Sequence, residues 1–374
     1  MSFDINEFKV DLKCINQNRK KGISGILRVK NDAEFLQICI ESCIDALDEL
    51  IIVYNDCSDN SPQLLKNIAQ KYSNKIKLYN YLPHIKSHAL TENEYLNLKN
   101  NHIDSIHLLS NYYNYALSKT SYEYVMKIDA DQIYYTNELK RICNYYRTER
   151  KFSIPTIREF TSFIYFYYRL RKNKKGCSNR LYQQYKSCLE KFIQLFKISI
   201  SLSGINLVHD TNKWLVPLGR ITGKLNILPP YNGVGDHLIF KVTEDTYFVP
   251  YDCVEYNKLT SNNYTFIERL VGVKRSFPYG FIWWHFNGIR RNIYYEQQNN
   301  ISRFNNSFLD IDKFTNVKFN EISDQISKDL LHPSTHALFE VYHNTFANEK
   351  ELSNLKNLKY NLLDGLYFNE NISK

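Results

Sequence analysis

The stretch that most limits the fold is Tyr124 to Asp131, a short and mostly apolar run closed by Asp129-Ala130-Asp131. A run of that length and character reads as a strand buried on both faces, as in a parallel sheet. In open α/β sheets, ligands gather at the carboxyl ends of the strands. Alternation along an extended chain puts Asp129 and Asp131 on one side. Two carboxylates so placed repel each other unless a cation lies beside them. A hard divalent ion that also carries a nucleotide's phosphates suits them. A plain strand end, with an aspartate capping the helix from about Asn137, explains the same tripeptide, and a bare Asp-x-Asp is common.

The chain before it supplies context. Gly25 to Val29 reads as a strand that runs into a polar turn at Asn31-Asp32. Ala33 to Leu47 has apolar residues at helical spacing, with Asp32 placed to cap it. Glu49 to Tyr54 is a second buried strand, and Asn55 to Ser61 is a dense polar loop. A helix over 62–72, with Pro62 in its first turn, and a strand over 75–81 follow. This β-α-β-α-β order begins a doubly wound sheet. The segment 82–107 carries four histidines and reads as a solvated loop or a lid. His84 and His88 have one-turn spacing, but no helical pattern supports a metal site there. Ser110 to Leu117 reads as a helix. Its two interior asparagines have poor helix propensity, which suggests a face touching something polar; a solvated face fits as well.

After a basic helix over 138–150, Phe152 to Tyr168 is aromatic and β-prone, and a basic run, Arg169 to Lys175, adjoins it. Basic next to aromatic suits an anionic membrane surface or a plain solvated loop. No nucleic-acid recognition motif is present. Beyond Ser199 the pattern is β-rich, with Asp210 and Asp236 at strand or loop edges and His285 among Trp283, Trp284 and Phe286. From about Thr315 the sequence reads as a polar helical tail.

Net charge is +9, which favours anionic partners such as nucleotide phosphates. Aromatic residues make up 15%, with 30 tyrosines, suited to flat polar ligands or reflecting a biased genome. Eight cysteines form no Cys-x-x-Cys pair, so reduced thiols in a cytoplasmic protein are expected. The first residues lack a basic region followed by an apolar run, and Phe192 to Val208 is too short and polar to span a bilayer. A cytoplasmic protein, at most peripheral on the inner face of the membrane, is expected.

Three stretches together resemble a GT-A glycosyltransferase: Leu27-Arg-Val-Lys-Asn-Asp32, Tyr54-Asn-Asp-Cys-Ser-Asp59, and Asn114 to Asp131. More narrowly they are similar to bacterial β-1,4-N-acetylgalactosaminyltransferases of lipo-oligosaccharide synthesis, well over 23–140 and loosely beyond. The resemblance implies a Rossmann-like, mostly parallel α/β sheet with helices on both faces and a C-terminal helical extension. It divides the chain into a lead-in (1–22), a nucleotide-sugar half (23–145), an acceptor half (146–314) and a tail (315–374). Asp56 then accepts from the uracil imide. Arg28, Asn31 and Asn114 line the nucleotide pocket, and Asp129 faces ribose or sugar. Asp131 holds Mn²⁺ or Mg²⁺ on the diphosphate, with His285 completing the metal shell, unless His285 is only a packed core histidine. The implied reaction is inverting transfer of a hexosamine, GalNAc favoured, from a UDP-sugar to an oligosaccharide acceptor of lipo-oligosaccharide or capsule. It needs a general base, for which Asp236 and Asp210 are the candidates, Asp236 first for its flanking glycines. Another UDP-hexose, a retaining reaction, a nucleotidyltransferase and a non-catalytic glycan- or membrane-binding module are the alternatives. The absence of glycine from 27–32 counts against the nucleotidyltransferase, and three well-placed aspartates count against a non-catalytic module.

Overall fold

A computed structural model describes residues 3–15, 18–88, 90–100, 105–148, 154–172, 177–210, 213–219, 229–233, 237–252, 264–273, 275–286, 307–326, 333–345, 352, 355–361 and 366–369. Asp236 lies outside them, as do the side chain of Asp210 and most of the basic run after Lys172.

In chain order the first elements are β1 (Lys20–Val29), α1 (Ala33–Cys43), β2 (Glu49–Tyr54), α2 (Ser61–Lys71), β3 (Ile76–Asn80), α3 (Glu92–Asn100) and α4 (Leu109–Ser118). Then come β4 (Tyr122–Asp129), β5 (Gln132–Tyr134), α5 (Thr136–Arg147), α6 (Ile157–Arg171) and α7 (Asn179–Phe196). Strands dominate next: β6 (Ser199–Asn206), β7 (Val208–Asp210), β8 (Lys213–Pro217), β9 (Tyr231–Asn232), β10 (Leu238–Lys241), β11 (Tyr247–Asp252), β12 (Phe266–Val271), β13 (Ser276–His285) and β14 (Phe308–Asp310). The described end holds α8 (Ile311–Asn316), α9 (Phe319–Ile322), α10 (Pro333–Thr345), β15 (Leu358–Asn361) and β16 (Leu366–Asn369).

These elements form two compact units that interleave along the chain, whereas the sequence reading divides it consecutively at residue 145. One unit comprises 1–33, 47–130 and 239–275, the other 34–46, 131–238 and 276–374.

The first unit is the expected parallel sheet. Its strands run β3-β2-β1-β4, all parallel, with β10 antiparallel beyond β4. Ile23, Ile26, Leu27, Leu50, Ile51, Ile52 and Val53 are fully buried, as a parallel strand covered on both faces requires. The hairpin β11-β12 belongs to this unit.

The second unit pairs β6 parallel with β13, while β5 runs antiparallel to β13 and β9 antiparallel to β6. Gly204 lies opposite Trp283, and a Cβ there would overlap the buried indole. Gly233 has φ +94°, and a Cβ on it would meet the same ring. The glycine expected to free a loop for Asp236 therefore also makes room for Trp283.

A half-buried network ties α5 and α7 to β13. Arg141 donates two bonds to the Glu138 carboxylate, Nε at 2.9 Å and Nη2 at 2.6 Å, and Lys186 Nζ adds a third at 3.0 Å. Tyr279 bridges Glu138 and Glu190 through its hydroxyl, 3.0 Å from each. Burial pushes the Glu138 carboxyl up, but Arg141 and Lys186 outweigh it and hold it down at about 2, against an ordinary 4.5. A carboxyl depressed on folding stabilises above its unfolded value and loses that contribution as pH falls through the folded one. Glu138→Gln is therefore expected to lower the unfolding midpoint above pH 4.5, with the two proteins converging as pH approaches about 2. Parallel midpoint curves across that range would remove the charge argument.

Some expectations change. The loop over 82–107 contains α3, begun by Thr91 and Glu94 bonding each other's backbone amides. The β-prone 152–168 stretch is mainly the helix α6, closed at its start by the capping box of Thr156 and Glu159. The C-terminal tail is helical only in part, since its described end is the antiparallel pair β15-β16.

Candidate active site

In the first unit, the carboxyl ends of β1, β2 and β4 carry the residues singled out from the sequence. Arg28 and Asp129 are register partners on β1 and β4. Just beyond β1, Asn31 adopts a left-handed φ of 58°, and beyond β2 Asp56 has φ 45°. Asparagine and aspartate tolerate that region better than other side chains. Asn31 Oδ1 accepts from the Ser58 and Asp59 amides at 2.7 and 3.3 Å, so its structural work is to shape the loop that holds Asp56. Asn55, 1% exposed, donates to the Tyr81 and Pro83 carbonyls at 2.7 and 2.9 Å, fixing that loop to the end of β3.

Asp56 is partly exposed, as a base-recognising carboxylate must be, and it is not solitary. His84 Nδ1 lies 2.6 Å from its Oδ2 and Lys30 Nζ 3.9 Å away. His107 Nδ1 in turn bonds the His84 carbonyl at 2.8 Å. The loop histidine expected to be merely solvated thus sits on the nucleotide-binding candidate. The sequence held no local sign of this, because the two loops meet only through the order of the strands.

Arg28 stacks over Tyr113 at 4.2 Å and Tyr112 at 5.8 Å. Burial opposes its charge, and Tyr113, Glu268 and Asp129 more than offset that, so the guanidinium stays protonated. Its Nε is buried without a hydrogen-bond partner. A guanidinium with an unused donor at a strand end suits a ligand oxygen.

Asn114, expected to face a donor, is turned inward. It is 5% exposed, its Nδ2 donates to the Phe248 carbonyl at 2.9 Å, and its Oδ1 accepts from the Phe248 amide at 2.7 Å. Asn111 similarly donates to the Phe8 carbonyl and the Tyr81 hydroxyl. The polar contact that two helix asparagines signalled is with the protein's own backbone.

In the second unit, Asp131 and His285 come together from 154 residues apart in sequence, with Asp131 Oδ1 3.3 Å from His285 Nε2. The backbones join as well, since the Phe286 amide donates to the Asp131 carbonyl at 2.9 Å. His285 is 7% exposed. Its Nδ1 is served by an acceptor, Asn206 Oδ1, and a donor, Asn232 Nδ2, each at 2.7 Å. With Nδ1 bearing the proton, Asn206 accepts it and Nε2 offers its lone pair toward the Asp131 side. With Nε2 bearing the proton, Asn232 donates to Nδ1 and Nε2 donates to Asp131. Such partners behind a histidine orient it as a metal ligand. The packed-core reading of His285 also accommodates these partners, since a buried imidazole needs hydrogen bonds. Asn206 and Asn232 were missed from sequence, and only the pairing of β6 with β13 and β9 reveals them.

Among the described residues, no group of three or more His, Cys, Asp or Glu side chains is arranged to hold a metal ion. Asp131 and His285 are a carboxylate oxygen and an imidazole nitrogen, a donor pair that fits Mn²⁺, with phosphate oxygens and water available to fill the other positions. Asp210 closes β7 opposite Lys213. Cys39, Cys43, Cys57, Cys143, Cys177 and Cys188 are free thiols, as expected.

The family model described as Beta-1,4-N-acetylgalactosaminyltransferase (CgtA) matches residues 6–216. Among solved structures, glucosyl-3-phosphoglycerate synthase from Mycobacterium tuberculosis, in complex with Mn²⁺, UDP and phosphoglyceric acid, is 19% identical. The match covers 36% of this chain and 39% of that one at a TM-score of 0.21. The same enzyme with Mg²⁺ and UDP gives the same figures. With UDP alone it is 18% identical, with 35% and 39% covered and a TM-score of 0.19. The chain thus spans about two fifths of the length of the solved structures it matches, 39% in each case. A search of curated proteins finds no match.

Proposed function

The chain belongs to the β-1,4-N-acetylgalactosaminyltransferase (CgtA) family of glycosyltransferases, and from that premise we propose that it moves GalNAc from UDP-GalNAc to a hydroxyl of a bacterial surface glycan, lipo-oligosaccharide or capsule, with inversion and with help from a divalent cation. The observation that carries the reading is the Asp131–His285 pair with its two asparagines.

In this reading Asp56 accepts from the uracil imide, Arg28 meets an oxygen of the nucleotide, and Asn31 keeps the Asp56 loop in place. His84 holds the Asp56 carboxylate in position until the base arrives. Asp129 faces the ribose or the sugar. Asp131 and His285 Nε2 would hold Mn²⁺ or Mg²⁺, which when bound takes up the negative charge of the departing diphosphate. Single displacement needs a base that removes the acceptor hydroxyl's proton on the face opposite the leaving group. Asp236 and Asp210 are the candidates for that base.

The test is thermal unfolding of the whole chain with Mn²⁺, UDP, CMP and a panel of UDP-sugars. UDP is expected to raise the midpoint only when Mn²⁺ is present, because a ligand that binds the native state stabilises it. UDP-GalNAc is expected to raise it furthest, and release of UDP from it on adding acceptor glycan to follow. An equal rise with CMP in the absence of metal would overturn the donor site. A larger rise with UDP-glucose, UDP-galactose or UDP-GlcNAc would reassign the sugar.

A further inference from the structure

The helix α6 has two apolar faces, and only one is used. Ser162, Phe163 and Phe166 are buried, with Phe163 stacked on Tyr185 and Phe166 against Tyr182 of α7. The opposite face carries Ile157, Phe160, Ile164, Tyr165 and Tyr168, which are 85%, 46%, 53%, 50% and 47% exposed. At 3.6 residues per turn these side chains form one continuous stripe along a helix about 22 Å long. Phe196, 66% exposed, extends it through Phe192, whose ring lies near both Phe160 and Phe196. Single exposed apolar residues are ordinary, whereas a stripe of this size marks an interaction surface.

The charge around the stripe says what covers it. Arg158, Arg171 and Lys172 are exposed along its flank and its end. The one acid of the helix, Glu159, is turned away to Lys191 Nζ, 2.7 Å distant. A second copy docking by the same face would set cations against cations, since the one acid of that helix is held by Lys191. An anionic bilayer offers both an apolar layer for isoleucine and phenylalanine and phosphate for the cations, and tyrosine favours the boundary between them. Among the described residues no helix is long and apolar enough to cross a membrane. We propose that α6 lies in the plane of an anionic lipid surface, inserting Ile157, Phe160 and Ile164 while Arg158, Arg171 and Lys172 meet the headgroups. This rests on the second unit alone and stands whether or not the sugar donor is correctly assigned.

The experiment is sedimentation of the full chain with vesicles of phosphatidylcholine, alone or mixed with phosphatidylglycerol. The parent is expected to sediment with the anionic vesicles and to be released by salt. Ile157→Ser/Ile164→Ser should weaken binding by about tenfold or more, and Arg171→Glu/Lys172→Glu by at least about fivefold per cation. Both variants alter exposed positions, so their unfolding midpoints should match the parent's. Equal binding to both vesicle types, or binding that neither variant changes, would overturn the proposal. A concentration-dependent dimer abolished by the isoleucine changes, with no vesicle binding, would give the face to a second copy instead.

Discussion

Asp131→Asn is expected to cut turnover at saturating donor by about a thousandfold or more, the scale on which a metal aids a departing charge. The substitution keeps the shape of the side chain and removes its charge. The Asp131 carbonyl still accepts from the Phe286 amide, so the strand pairing that places His285 is untouched. The unfolding midpoint without ligand should therefore stay near the parent's. What should vanish is the additional stabilisation that UDP gains from Mn²⁺. His285→Ala, which removes the other half of the pair, should act in the same direction. If Asp131→Asn retained turnover within about threefold of the parent, the assignment of the pair as the metal site would be lost, since a carboxamide is a poor replacement for a charged ligand.

How much of this was legible beforehand differs by residue. The strands could be read because a parallel sheet buries both faces of its members. Glu49 to Tyr54 appears as an apolar run and folds over those residues. The helices α3 and α6 could have been read as well. Thr91-x-x-Glu94 and Thr156-x-x-Glu159 are both helix-start signatures, and both form reciprocal backbone bonds. In α6 the aromatic and β-branched content suggested a strand, and the capping box with tertiary packing prevailed. The asparagines of α4 are poor helix formers and so signal a polar contact, but composition cannot tell a ligand from a distant backbone. Asn111 and Asn114 are bound to Phe8, Tyr81 and Phe248, contacts fixed by how the chain returns on itself. The same is true of His84 on Asp56. Local chemistry nominated residues, and topology alone decided their partners.

The largest stability effect is expected at Glu268, in the first unit. Lys127 of β4 lies 3.1 Å from Glu268 of β12, and their side chains are only 7% and 9% exposed. The ring of Tyr113 has Lys127 Nζ 5.0 Å from its centre and Arg28 4.2 Å away. Two cations thus share one aromatic ring, with Glu268 and Asp129 as the negative charges that act on Arg28. Removing one partner of a buried pair strands the other and costs about 3–5 kcal/mol. The two single changes should nevertheless differ. Lys127→Met leaves Glu268 with Arg28 still acting on it, so its loss falls at or below the low end. Glu268→Leu takes from Lys127 and Arg28 a carboxylate that acts on both, and its loss should reach the high end. Lys127→Met/Glu268→Leu removes both buried charges and leaves Arg28 with Asp129, so it should recover most of what Glu268→Leu loses, as apolar replacement of buried pairs commonly does. Urea unfolding of all four proteins measures the coupling directly. Losses that simply add in the double variant would show that the pair contributes nothing jointly, and the asymmetry assigned to Arg28 would fall with it.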